Sequence, residues 1–168
     1  PERINTFPDS PTYGKPISYP NESQVFSILK LENGIAGTLS INGDSTIQDQ
    51  AHFMIYGKKG ILKLTDPNTF GGNVIYLPAQ KDFEDHPTPQ ILNYGFSYGE
   101  NSRGLGPSEM ADAIFEKREN RANAELAVHV LDVIDHMVES SEKGAFVQVT
   151  STCKRPEPMP SYVRRNLF

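Results

Sequence analysis

The spacing of apolar residues changes once along the chain, and that change constrains the fold more than any single motif. From Ser23 to Leu77 apolar side chains recur at every second position, and from Arg103 to Gly144 at every third or fourth. A period of two is that of a strand, whose side chains alternate between faces, and a period near 3.6 is that of an amphipathic helix. Strands followed by helices, rather than alternating with them, predict an α+β domain built on a largely antiparallel sheet. Ser23 to Leu31 places Val25, Leu29 and Leu31 on one side and Phe26 and Ile28 on the other, which predicts a strand covered on both faces. Asn33-Gly34 then marks a hairpin, predicted as a type I′ turn, which needs positive φ at both central residues. The return strand runs from Ile35 to Ile41. Ala51 to Tyr56, Ile61 to Leu64 and Asn73 to Leu77 complete a meander of about five strands, with tight turning at Gly57-Lys58-Lys59-Gly60 and a loop over Asp66 to Gly72.

Two helices are predicted after the strands. Pro107 suits the first turn of one, where its missing N–H has no partner to lose. Glu109 lies near the positive end of that helix and Lys117 and Arg118 near its negative end, while Met110, Ala113 and Ile114 form its apolar stripe. Asn123 caps the other helix, with Glu125 in its first turn and Gly144 as its stop. Leu126, Val130, Val133, Ile134 and Met137 share one face of it, flanked by His129 and His136. Phe146 to Val149 is expected to form a last strand.

Outside these elements, residues 1–21 are an extended lead-in: Pro8, Pro11, Pro16 and Pro20 forbid a helix. Residues 22–150 form the domain, and residues 151–168, with Pro156, Pro158 and Pro160, an extended tail. Residues 78–102 have no period but hold Phe83, Tyr94, Phe96 and Tyr98; a loop this long is either functional or a surface excursion pinned by its aromatics.

Composition narrows the function. A net charge of -5, with Lys and Arg scattered apart from Arg164-Arg165, leaves no nucleic-acid footprint. The single cysteine, Cys153, can form no disulfide within the chain and fits a reducing, cytoplasmic setting. No apolar run approaches the roughly 20 residues of a membrane span. The chain opens on Pro1 rather than Met, which leads to the expectation that it begins inside a longer protein. Gly104-Leu105-Gly106 at a helix start suggests a dinucleotide turn, but no strand leads into it and the third glycine position holds Glu109. His129, Asp132 and His136 lie close together around the second helix, as metal ligands, an acid/base pair or merely the edge of the core would. No Ser-His-Asp, Cys-His or H-E-x-x-H signature is visible, and no metal is predicted.

Several stretches together resemble the C-terminal domain of the glucose-fructose oxidoreductase/inositol dehydrogenase/MocA (Gfo/Idh/MocA) family. They are Leu31-Glu32-Asn33-Gly34-Ile35-Ala36-Gly37-Thr38-Leu39, Ile55 to Leu62, Asp66 to Gly72, Arg103 to Ile114, Arg121, Glu125 to Asp132 and Arg155-Pro156. The resemblance implies an open, mostly antiparallel sheet with helices on one face and the other face available for dimerisation. It implies a parent enzyme that uses NAD or NADP to oxidise a sugar or cyclitol-like alcohol, as a homo-oligomer. In the family the nucleotide lies on a preceding Rossmann domain. The catalytic lysine belongs to a Glu-Lys-Pro motif, and an Asp and a His come from early in the second domain. None of these motifs is in this sequence, so no cofactor is expected to bind this chain alone and its catalytic residues are unknown. Its substrate-facing candidates are Tyr94, Tyr98, Arg103 and His129. The alternative is a non-catalytic sheet-mediated dimerisation or binding module; a third possibility keeps the family but replaces net oxidation with cofactor-assisted glycoside cleavage.

Overall fold

The structure, a computed structural model, describes residues 2–18, 20, 22–44, 52–92 and 102–159. It is α+β: antiparallel sheets formed by the first part of the chain, then two helices. The chain divides into two compact units, residues 1–48 and residues 49–168.

In the first unit, β1 (Glu2–Ile4) pairs antiparallel with β2 (Pro16–Ser18). The lead-in is therefore a small hairpin. Asn5, only 6 % exposed, organises its loop: its side-chain amide donates to Ser10 Oγ and Thr12 Oγ1, both at 2.7 Å, and its Oδ1 accepts from the Phe7 N–H. β3 (Gln24–Lys30) pairs antiparallel with β4 (Ala36–Asn42), with Val25 opposite Ile41 and Phe26 opposite Ser40. The hairpin falls where expected, but its turn is not type I′. Gly34 has φ 84°, whereas among the described residues the only non-glycine with positive φ is Lys117. The Gly34 N–H donates to the Leu31 carbonyl at 2.9 Å, and Leu31 N–H to Ile35 O at 2.8 Å. A single glycine at the end of the turn thus supplies the left-handed residue, and Asn33 instead accepts from the Ile35 N–H through its side chain.

The expected cover on both faces of β3 is also not found. Val25 and Leu29 are half-buried, but Phe26 is 71 % and Ile28 61 % exposed. Among the described residues β3 and β4 form a two-stranded sheet. The end of β4 turns back on its own unit: Gly43 N–H donates to Ser23 O, and the Asp44 carboxylate accepts from Arg3, Ser23 and Gln24.

The second unit holds a separate meander in the order β5 (Phe53–Gly57), β6 (Gly60–Leu64), β7 (Val74–Pro78) and β8 (Gln90–Leu92). β8 lies in the stretch that has no period; its three residues are too few to display one. Gly60, with φ 146°, sits where β5 turns into β6, opposite Pro78 of β7. A Cβ there would lie 2.2 Å from Leu77 O and 2.8 Å from Tyr76 Cε2, so no other residue fits. The Lys59 carbonyl accepts from Tyr76 Oη at 2.6 Å and from Ala79 N–H at 2.9 Å, which fastens this turn to β7.

Two helices follow, α1 (Leu105–Glu116) and α2 (Ala124–Lys143). Each ends with a left-handed residue: Lys117 (φ 53°) after α1, Gly144 (φ 59°) after α2. In both, the next residue's N–H reaches back to the carbonyl five residues earlier, Arg118 to Ala113 and Ala145 to Ser140, the Schellman arrangement. Asn123 caps α2 as expected, its Oδ1 accepting from Leu126 N–H at 2.9 Å. Residues 146–149 are extended chain and do not form the expected strand.

Candidate functional site

Three polar groupings surround the helices. The first is centred on Glu109. On α1 the least exposed residues are Leu105, Glu109 and Ala113, at 7 %, 8 % and 2 %. They are spaced four apart and so share one face. The expected stripe of Met110, Ala113 and Ile114 is thus turned: Met110 and Ile114 are exposed, and a carboxylate occupies the inward face. Glu109 is more than a full turn into α1, too far from its start to owe its place to the helix dipole. Its Oε1 accepts from Arg118 Nη1 and, at 2.7 Å, from Arg121 Nη1, while its Oε2 accepts from the Arg121 backbone N–H at 3.1 Å. Burial raises its pKa, but the hydrogen bonds from Arg118 and Arg121 outweigh burial and hold the carboxyl below its ordinary value. Arg121 also reaches the tail, donating from Nε to the carbonyls of Glu157 (2.9 Å) and Pro158 (3.3 Å). Beside this cluster, an open cleft of about 310 Å³ is lined by Met110, Ala113 and Ile114 of α1, by Arg118, Glu119, Asn120 and Asn123 of the connection, and by Ala124 and Glu125 of α2.

The second grouping is on α2. Leu126, His129, Val133, His136, Met137 and Ser140 are all half-buried. The shielded face of α2 therefore includes both histidines instead of being flanked by them, and the expected apolar members Val130 and Ile134 are exposed. His129 Nδ1 lies 2.9 Å from Ser151 Oγ. His136 Nδ1 lies 2.7 Å from the Asp132 carbonyl and 3.2 Å from Asp132 Oδ1. Hydrogen bonding from the Ser151 side chain is the largest influence on the Asp132 carboxyl, and with the nearby His136 it holds that group below its ordinary value. His129, Asp132 and His136, grouped by helical spacing, are thus joined by Ser151, a tail residue that spacing cannot reveal. Among the described residues no set of three His, Cys, Asp or Glu side chains could hold a metal ion.

Arg103 forms the third grouping. It precedes α1, and its Nη2 donates to Asn68 Oδ1 at 3.1 Å, tying the helix entry to the loop between β6 and β7. Arg103 and His129 share no hydrogen-bond partner; Tyr94 and Tyr98 lie outside the described residues.

The glycines at the start of α1 do not fit a nucleotide. Neither Gly104 nor Gly106 is among the glycines with positive φ, and a Cβ on either would meet nothing within 4 Å, so neither turn geometry nor close approach demands glycine. Glu109, in the third glycine's place, puts a carboxylate there and is engaged with two arginines.

Antiparallel sheets, then two capped helices tied to a returning tail, define an α+β domain. The profile described as "Oxidoreductase family, C-terminal alpha/beta domain" (GFO_IDH_MocA_C) matches residues 4–149. The chain belongs to that family, as its sequence resemblance implied. No curated protein and no solved structure matches it at a significant level. No helix among the described residues is long and apolar enough to cross a membrane.

Proposed function

We propose that this chain supplies the substrate-side and oligomer-forming part of an NAD(P)-dependent oxidoreductase that acts on a sugar or cyclitol-like alcohol. The observation that carries the proposal is the family match over residues 4–149 in a chain whose one glycine-rich helix entry does not fit a nucleotide. The nicotinamide then belongs to another part of the protein, where it would accept hydride from the carbinol carbon. Arg103 and His129 are the substrate-facing candidates among the described residues, with Tyr94 and Tyr98 outside them. Fluorescence titration of the 168-residue chain with NADH and NADPH should show no binding. Tight binding of either would overturn the assignment.

The same proposal gives the sheets their role. Phe26 and Ile28 on β3, and Phe53 and Ile55 on β5, are exposed apolar side chains on antiparallel strands. A second copy presents the same residues in the same order, so two copies related by a two-fold axis can cover each other's faces. Sedimentation at micromolar concentration should give a dimer or larger assembly, and Phe26→Asp should shift it to the monomer. A wild-type monomer would refute this part.

A further inference from the structure

The chain beyond α2 returns along it. From Val147 to Cys153 burial alternates: Val147, Val149, Ser151 and Cys153 are half-buried, while Gln148, Thr150 and Thr152 are exposed. That is the pattern of extended chain with one side against the domain. Three attachments fix its course. Ser151 Oγ lies 2.9 Å from His129 Nδ1. Lys154 N–H donates to Glu125 Oε1 at 3.2 Å. Arg121 Nε donates to the Glu157 carbonyl at 2.9 Å and to the Pro158 carbonyl at 3.3 Å. The partners step back through His129, Glu125 and Arg121 while the tail advances through Ser151, Lys154 and Glu157. This even register belongs to a segment docked lengthwise on α2 and its lead-in, running antiparallel to the helix. The docking is also light. Thr152 and residues 154–158 are exposed, so little apolar area holds the tail down. Pro156 and Pro158 fix φ in the free tail, which limits the entropy lost when it docks again.

We propose that residues 151–158 are a strap, docked in register on His129, Glu125 and Arg121, that opens as one unit while α2 stays folded and so frees Nδ1 of His129. Closed, the strap engages that nitrogen with Ser151; open, it leaves it to solvent or to a ligand. The candidacy of His129 for substrate rests on the function proposed above; the strap rests on the attachments alone.

Cys153, the only cysteine of the 168-residue chain, is half-buried on the same side of the strap as Ser151, so its thiol reports the opening. When the strap recloses faster than the reagent reacts, labelling of Cys153 by an aromatic disulfide is proportional to the open fraction. All attachments feed one opening equilibrium, so weakening any of them should speed the labelling. Ser151→Ala and Glu125→Ala should each do so about fivefold, the effect of one hydrogen bond of ordinary net strength. Lys154→Pro removes the donor of the Glu125 bond from the tail side without touching α2 and should match Glu125→Ala. The two together should be no faster than either alone, since both delete the same bond. Hydrogen exchange at amides in the middle of α2, such as that of Val133, should keep its wild-type rate throughout. An unchanged Cys153 rate in both Glu125→Ala and Lys154→Pro overturns the strap. Acceleration in those two but not in Ser151→Ala puts His129 outside the opening and overturns its release. Equal acceleration at Val133 means that tail and helix unfold together, which overturns the independent opening.

Discussion

Replacing Glu109 tests whether a buried carboxylate holds α1, the helix connection and the tail together. The side chain accepts three hydrogen bonds, from Arg118 Nη1, Arg121 Nη1 and Arg121 N–H, at 8 % exposure. Removing one partner of a buried ion pair costs about 3–5 kcal/mol, because the other charge is left uncompensated. Here the arginine side chains keep 31 % and 21 % exposure and can recover water, which places Glu109→Ala at the low end, about 3 kcal/mol. Glu109→Gln keeps an acceptor and the shape but loses one charge-assisted bond, about 2 kcal/mol. With a urea slope of about 2 kcal/mol/M, the alanine variant should unfold about 1.5 M earlier and the glutamine variant about 1 M earlier. The pH dependence has a definite sign. The folded pKa is lowered from the ordinary 4.5, so the carboxylate's contribution is complete above that value and is lost as pH falls through the folded value. The stability gap between wild type and Glu109→Gln should therefore close in acid. Urea midpoints of both variants within about 0.3 M of wild type, the range of an ordinary surface change, would refute the buried clamp; so would a gap that widens in acid.

Three further predictions probe the backbone around the helices and the meander, each with its variants read from urea midpoints. Gly60→Ala should cost about 3 kcal/mol, because its Cβ would lie 2.2 Å from the Leu77 carbonyl oxygen in a conformation that L residues rarely adopt. Gly57→Ala, whose Cβ would meet the Gly60 carbonyl oxygen at 3.5 Å and whose φ is not positive, is the control and should be far milder. Lys117→Gly should stabilise by about 1 kcal/mol by relieving the left-handed strain at the end of α1; a loss of stability there would refute the strain argument. Asn123→Ala should cost about 1 kcal/mol through loss of the cap on Leu126 N–H, with Asn123→Asp close to wild type.

The elements with a strong period could be read from the sequence. Val25 to Leu29, Phe53 to Tyr56 and the span of α2, though not its shielded face, repeat long enough to show alternation or helical spacing, and the caps at Asn123 and Gly144 have side-chain or backbone chemistry with few other uses. β1, β2 and β8 could not be read, because three residues display no period and the first two lie among prolines. The turn at Asn33-Gly34 shows a subtler limit. The dipeptide indicates a hairpin, but one glycine at the last turn position closes it as well as two left-handed residues would, and composition does not distinguish the two. The register of strands within each hairpin is local; the partition of hairpins among sheets depends on how chain ends are tied. At the end of β4 Arg3, from far earlier in the sequence, contributes to that tie.

The polar groupings were hidden for a related reason. A glutamate in the middle of an apolar stripe reads as a solvent-facing charge, since burial of an unpaired carboxylate is costly. What reverses the reading at Glu109 is two arginines placed 9 and 12 residues later, after a turn whose left-handed Lys117 sends the chain back over the helix. A stripe position holding an acid, followed by a helix stop and then paired arginines, is a signal that could have been sought. His129 has no such local mark. Its half of the helical pattern is visible as His129, Asp132 and His136, but the hydroxyl that His129 Nδ1 meets is that of Ser151, beyond the end of α2. Helical spacing can bring an imidazole and a carboxylate to one face; it cannot say which residue from beyond the helix meets them. Here it is a tail residue, and the tail is itself fastened near Glu109 through Arg121 and the carbonyls of Glu157 and Pro158. The carboxylate that steadies the helix connection and the serine that meets His129 thus lie on connected stretches of chain.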